Sequence, residues 1–276
     1  VTHPETGPFV WDKIKKNYYD MGFTNFWLDE AEPEVHPQQY SNLKLYAGNG
    51  AQTAMLDPYY YNKLFYDGLK EIILLTRAAY PGIQKFGALV WNGDIPSKFE
   101  ALRMSVKTGL SMAMSGIPWW NSDIGGFHSG DIETDYFKEL IVRWMQFGLF
   151  CPVMRLHGSR LRTQGQVERH PGIIEPSGGD NEIWSFGDEN YEILKELILL
   201  REKLRPYICR YMEIASKEGK PIMRPMFFDY YEDEVCYTLE DQYMFGEDIL
   251  FAPVTEQGQR ERRGYLPKGR WQDVNT

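Results

Sequence analysis

The feature that most constrains this 276-residue chain is a repeated alternation of short β-like runs with amphipathic helical stretches. Strands are predicted at residues 23–28, 71–77, 86–91, 112–120 and 149–155. Spacings of three and four mark the helices between them. Val10, Ile14, Tyr18 and Met21 form a first stripe, closed by Gly22. A second helix starts at Asp57-Pro58. Phe99, Leu102, Val106 and Leu110 follow a capping box of Ser97 and Glu100. Phe137, Leu140, Ile141, Trp144 and Phe147 line a helix opening near Thr134. A long helix over 191–216 should kink or break at Pro206.

Strands that alternate with helices imply a parallel α/β architecture. A doubly wound sheet would carry a glycine-rich phosphate loop after its first strand. Gly48-Asn49-Gly50 has neither the spacing nor a following lysine. Instead Asp29, Arg77, Asp94, Asp123 and His157 stand at successive strand ends. Functional residues collected from several strand ends are the pattern of a (β/α)8 barrel of the TIM type. Five of its eight units are expected here, with three strands missing from the N-terminal side, so the chain reads as a piece of a longer protein. After Gly219 short β segments at 222–229, 249–254 and 265–271 succeed one another without helices. The expected organisation is a partial catalytic barrel over 1–218 and the beginning of an all-β sandwich over 219–276.

Charge excludes some function classes. Thirty basic against thirty-nine acidic side chains give −9, which argues against a basic face for nucleic acid. No run reaches the ~18 apolar residues of a membrane span. Cys151, Cys209 and Cys236 are odd in number and lack metal spacing. They read as buried reduced thiols, and with them a reducing, cytoplasmic compartment. His157 has no second histidine or cysteine at ligand spacing, so no metal is expected.

Two carboxylates stand out. Asp29 ends the run Phe-Trp-Leu-Asp, and Asp94 follows Trp91-Asn92-Gly93. They lie two βα units apart, so their backbones should be roughly 10 Å apart. Inward-leaning side chains could then reach the ~5–5.5 Å of a retaining glycosidase pair. Helix capping and loop stiffening are the ordinary alternatives for both. Trp27 and Trp91 precede the aspartates, and Trp119-Trp120 precede Asp123. Indole faces suit pyranose rings, although core packing is the usual fate of tryptophan.

Together these stretches resemble glycoside hydrolase family 31, the retaining α-glucosidase and α-xylosidase family. The resemblance is carried by Phe26-Trp27-Leu28-Asp29-Glu30-Ala31-Glu32, by Trp91-Asn92-Gly93-Asp94-Ile95, and by residues 115–127 with Pro118-Trp119-Trp120-Asn121-Ser122-Asp123. Arg155-Leu156-His157, Gln242–Gly246 and Ala252-Pro253-Val254 complete it. It implies Asp29 as nucleophile and Asp94 as acid/base. It implies Arg77, Asp123 and His157 as groups that bind the sugar, with Trp27, Trp91 and Phe127 as its walls. Glu32 would stand behind the nucleophile. Arg155 is left open between bracing the acidic loops and touching substrate. The implied activity is retaining, exo-acting hydrolysis of α-linked glycosides, with no cofactor and an α-linked oligosaccharide or glycoside as the partner. A transglycosylase and a non-catalytic carbohydrate-binding relative are the rivals.

Overall fold

A computed structural model describes residues 1–30, 32, 37–70, 72–169 and 178–274. Helix α1 (Thr6–Asn17) turns Val10, Trp11 and Ile14 onto a small core of Leu28, Leu64, Phe65 and Leu74. It ends earlier than its stripe suggested, and a 3-10 turn at Tyr19–Met21 runs on to Gly22 at φ 102°. Only Trp27–Leu28 of the first expected strand pairs, as β1. Helix α2 (Asp57–Leu69) carries its proline in the first turn, as Asp57-Pro58 indicated.

Strand β2 (Leu74–Thr76) is shorter than expected, and Glu71 at the head of that run lies outside the described residues. Strand β3 (Ala88–Trp91) follows with only a 3-10 turn, Ile83–Phe86, between them. The helix expected between β2 and β3 is absent because Pro81, Gly82 and Gly87 break the connection, both glycines having positive φ.

Helix α3 (Phe99–Met114) begins without its capping box. The Tyr136 hydroxyl instead accepts from the Phe99 N–H at 3.0 Å, and Ser97 Oγ accepts from Arg160 at 3.4 Å. The helix also runs through Met112-Ala113-Met114, good helix formers that had been read as strand. The fourth strand is therefore reduced to β4 (Trp120–Asn121). Helix α4 (Asp135–Leu149) opens where expected and is capped by Thr134, whose Oγ1 accepts from the Phe137 N–H at 3.2 Å.

The fifth strand, 149–155, is corrected. Leu149 belongs to α4, and among the described residues this stretch meets the sheet through the Val153 N–H, which donates to the Trp120 carbonyl at 3.3 Å, and through a bridge between Ile124 and Leu156. Arg201 explains this by donating to the carbonyls of Leu149, Cys151 and Pro152 at 2.6–2.8 Å, and Pro152 has no N–H to offer a ladder. Arg201 lies on α5 (Asp188–Glu218), which is assigned as helix straight through Pro206 and ends at Gly219 with φ 74°.

Beyond it, β5 (Met223–Pro225), β6 (Tyr243–Phe245) and β7 (Ile249–Phe251) form an antiparallel sheet in that order. A short helix, Met226–Asp229, and a 3-10 turn, Glu234–Thr238, interrupt what was expected to be helix-free. The expected strand at 265–271 does not form. The Gln242 side-chain amide takes both polar groups of Tyr265, accepting from its N–H and donating to its carbonyl at 2.8 Å each. Cys151 and Cys236 are buried as expected, whereas Cys209 is exposed.

The parallel sheet runs β1-β2-β3-β4, and its register determines what each face presents. Leu28, Thr76, Val90 and Trp120 share one row and are buried toward the helices. Extending that register by one residue aligns Asp29, Arg77, Trp91 and Asn121 on the opposite face. Among the described residues no helix is long and apolar enough to cross a membrane.

Candidate active site

Arg77 is the hub of the site. Its guanidinium, 11% exposed, places Nη1 3.3 Å from Asp29 Oδ1 and 3.5 Å from Asp94 Oδ2. Its Nη2 lies 2.9 Å from Glu30 Oε2 and pairs with Glu32 Oε1. The hydrogen bond to Glu32 is the chief reason its pKa is pushed up, with the neighbouring acids adding to it. Glu32 Oε2 is buried with no hydrogen-bond partner among the described residues. The two catalytic candidates thus stand on one guanidinium, although one strand, β2, separates theirs. Both remain accessible, with side chains 51% and 38% exposed. Ala31, part of the same motif, lies outside the described residues.

A second arginine organises the wall. Arg155 Nη2 pairs with Asp123 Oδ1, and its Nε donates to Asn121 Oδ1 at 3.1 Å. Its guanidinium lies 5.2 Å from the Trp27 ring centroid and 5.4 Å from that of Trp91. Arg155 thus braces Asp123 and Asn121 and stacks on both indoles. Asp123 is fully buried, and its Oδ2 has no hydrogen-bond partner among the described residues. Burial pushes its carboxyl up to about 7, Asp94 and Asp29 adding to this while Arg155 and Arg160 oppose it. A carboxyl that titrates near neutrality can either accept from a hydroxyl or donate to one.

Trp27 and Trp91 meet edge to face at 5.7 Å, but the first is 47% exposed and the second buried. His157 touches Trp27 at 4.9 Å and stacks on Phe127 at 5.6 Å. Burial, helped by Arg155 and Arg160, lowers the His157 pKa, so its imidazole is neutral at neutral pH. A neutral ring offers one donor and one acceptor, as a sugar hydroxyl requires. Asp29, Glu32, Arg77, Asp94, Asp123, His157, Trp27, Trp91 and Phe127 therefore lie in one neighbourhood, whereas Trp120 is buried on the helix side of the sheet.

Three others were not singled out. Asn121 is wholly buried on the floor. Glu30 shares Arg77. Arg160, also wholly buried, donates to the carbonyls of Gly126 at 2.8 Å and Ile124 at 3.1 Å. Gly125, with φ 93°, has room for no more than a hydrogen there, since a Cβ would come within 2.6 Å of Arg160 Nη2. The glycine pair after Asp123 was the one sequence signal that a side chain passes this loop closely. Among the described residues no group of three or more His, Cys, Asp or Glu could hold a metal ion.

The family model for the glycosyl hydrolases family 31 TIM-barrel domain matches residues 1–211, and that for the family 31 C-terminal domain matches residues 219–276. The chain belongs to glycoside hydrolase family 31. Among family 31 relatives, an alpha-xylosidase of Saccharolobus solfataricus is 36% identical over 283 residues, covering 99% of this chain and 36% of that protein. An isomaltosyltransferase of Sporosarcina globispora is 35% identical over 214 residues, 77% of this chain and 18% of its own. A crystal structure of a family 31 alpha-xylosidase from a soil metagenome, complexed with xylose, superposes with a TM-score of 0.89 at 47% identity. It aligns with 97% of this chain, and 41% of its own length is covered. The family 31 chain therefore spans about two-fifths or less of the relatives it matches.

Proposed function

We propose that the protein hydrolyses α-linked glycosides from the non-reducing end with retention, with Asp29 as nucleophile and Asp94 as general acid and base. The observation that carries this is the shared Arg77 Nη1, 3.3 Å from Asp29 Oδ1 and 3.5 Å from Asp94 Oδ2. Those oxygens can be no further apart than the two contacts laid end to end. That span includes the about 5–5.5 Å of a retaining pair and barely reaches the about 6.5–9.5 Å that an inverting pair keeps for water.

Asp29 attacks the anomeric carbon while Asp94 protonates the departing oxygen. Asp94 then takes a proton from the water that cleaves the glycosyl-aspartate. Asp123, His157 and Arg77 bind hydroxyls, and Trp27, Trp91 and Phe127 enclose the ring. Glu32 holds Arg77 from behind. Residues 1–218 supply the barrel part of this machinery, and 219–276 begin the domain that follows.

The preferred sugar is an α-xyloside, favoured by the α-xylosidase relatives, with an α-glucoside second. Transfer to a sugar acceptor is the second reading, because an isomaltosyltransferase shares 35% identity over most of the chain. The test compares hydrolysis of p-nitrophenyl α-xyloside and α-glucoside by a chain carrying the complete barrel. Turnover of the xyloside should fall by several orders of magnitude in Asp29→Ala and in Asp94→Ala. Near-normal turnover in either variant would remove that residue from the mechanism. Product formation only when a sugar acceptor is added would replace hydrolysis with transfer.

A further inference from the structure

Among the described residues Glu30, Lys70 and Ser129 are the non-glycine residues with positive φ. Glu30, at φ 48°, stands directly after Asp29. A glutamate holds such a backbone only where its surroundings over-determine it, and such residues cluster at functional sites. Here the turn does two things. It brings the Glu30 N–H to Asp29 Oδ1 at 3.0 Å, and it brings Glu30 Oε2 to Arg77 Nη2 at 2.9 Å. The other arm of that guanidinium, Nη1, lies 3.3 Å from the same Asp29 Oδ1. One oxygen of Asp29 is thus held by a hydrogen bond and an ion pair, and Glu30 supplies the first and anchors the cation of the second.

Resting on the assignment of Asp29 and Asp94 above, we infer that Glu30 is a positioning residue for the first displacement. Its left-handed turn clamps Asp29 Oδ1 so that Oδ2 is presented to the anomeric carbon. In that step a bond forms between Oδ2 and the anomeric carbon as the bond from that carbon to the leaving oxygen breaks. The proton of Asp94 passes to the leaving oxygen, and the aglycone departs as an alcohol. A carboxylate fixed through one oxygen reaches the reacting geometry without a further loss of rotational freedom. Glu30 touches neither sugar nor water in this scheme and acts through Asp29 and Arg77.

The experiment uses a chain carrying the complete barrel and whichever of the two p-nitrophenyl glycosides it hydrolyses. It measures kcat and KM across pH for Glu30→Gln, with Asp29→Ala as control. Glu30→Gln should lower kcat about ten-fold, with KM changed by less than about two-fold, because orientation is lost and not binding. Both limbs of the kcat/KM profile should move to lower pH. The loss of one negative charge beside Asp29 and Asp94 makes each carboxyl easier to ionise. A merely structural Glu30 would not move the limbs. Should Glu30→Gln fail to fold, Glu30→Gly, which suits the same backbone, carries the test through its limb shift. Wild-type kcat and limbs in the Glu30 variant beside an inactive Asp29→Ala would overturn the positioning role alone. An active Asp29→Ala would overturn the assignment of the nucleophile, and the positioning role with it.

Discussion

Burial changes the chemistry of Asp123, whose carboxyl rises from an ordinary 3.8 to about 7. The folded state therefore holds this proton more tightly than the unfolded chain. Its contribution to stability is largest at low pH and is lost as pH climbs between those values. Asp123→Asn should flatten that part of the stability curve, read as urea midpoints at about pH 5 and about pH 8. An unchanged slope would show that Asp123 is not the group responsible. Removing its partner acts differently. Arg155→Ala leaves a buried acid unpaired and should cost about 3 kcal/mol of stability, measured by denaturant unfolding. Asp29, Arg77, Asp94, Asp123 and His157 were readable because a barrel gathers strand ends at one face. Asn121, Arg160 and the bracing role of Arg155 were not. Whether a polar side chain points at a ligand or at a neighbour depends on loops folded from distant stretches. The glycines that let Arg160 pass close announce crowding without naming what crowds them.

At the scale of elements the helices were legible from their 3.6-residue stripes, and the strands only by position. Each strand keeps two to four paired residues, and where two further strands were expected side chains claim the backbone. Arg201 takes the carbonyls of Leu149, Cys151 and Pro152, and the Gln242 amide substitutes for a ladder at Tyr265. Such side-chain substitutes leave no periodic trace. Elements pack closely at Gly109 on α3, where a Cβ would come within 2.8 Å of Trp120 and 2.9 Å of Met223. Met223 can yield, but Trp120 is fully enclosed between α3 and the sheet. Gly109→Ala should therefore destabilise by about 1–3 kcal/mol despite the better helix propensity of alanine. A variant as stable as wild type in thermal melting would show that the helix can move outward at no cost.

The same contact joins the two halves of the molecule. Met223, Tyr243 and Phe245 of the antiparallel sheet share a core with Val90, Trp120 and Leu140 of the barrel side, and the Tyr243 hydroxyl donates to the Phe150 carbonyl at 2.9 Å. Among the described residues the parallel sheet is open: β1 is hydrogen-bonded to β2 on one side only. An open edge with unpaired backbone groups invites association. These 276 residues by themselves are expected to self-associate and to lack turnover, as seen by size-exclusion chromatography with an assay of each fraction. A monodisperse, active monomer would contradict this. The central claim is that a covalent bond forms on Asp29, and trapping tests it most directly. A chain carrying the complete barrel is incubated with a 5-fluoro-α-glycosyl fluoride of the preferred sugar, digested, and read by mass spectrometry. A single glycosyl adduct is expected on the peptide that contains Asp29, absent from Asp29→Ala. An adduct on another residue, or continued hydrolysis by an enzyme that never becomes labelled, would contradict it.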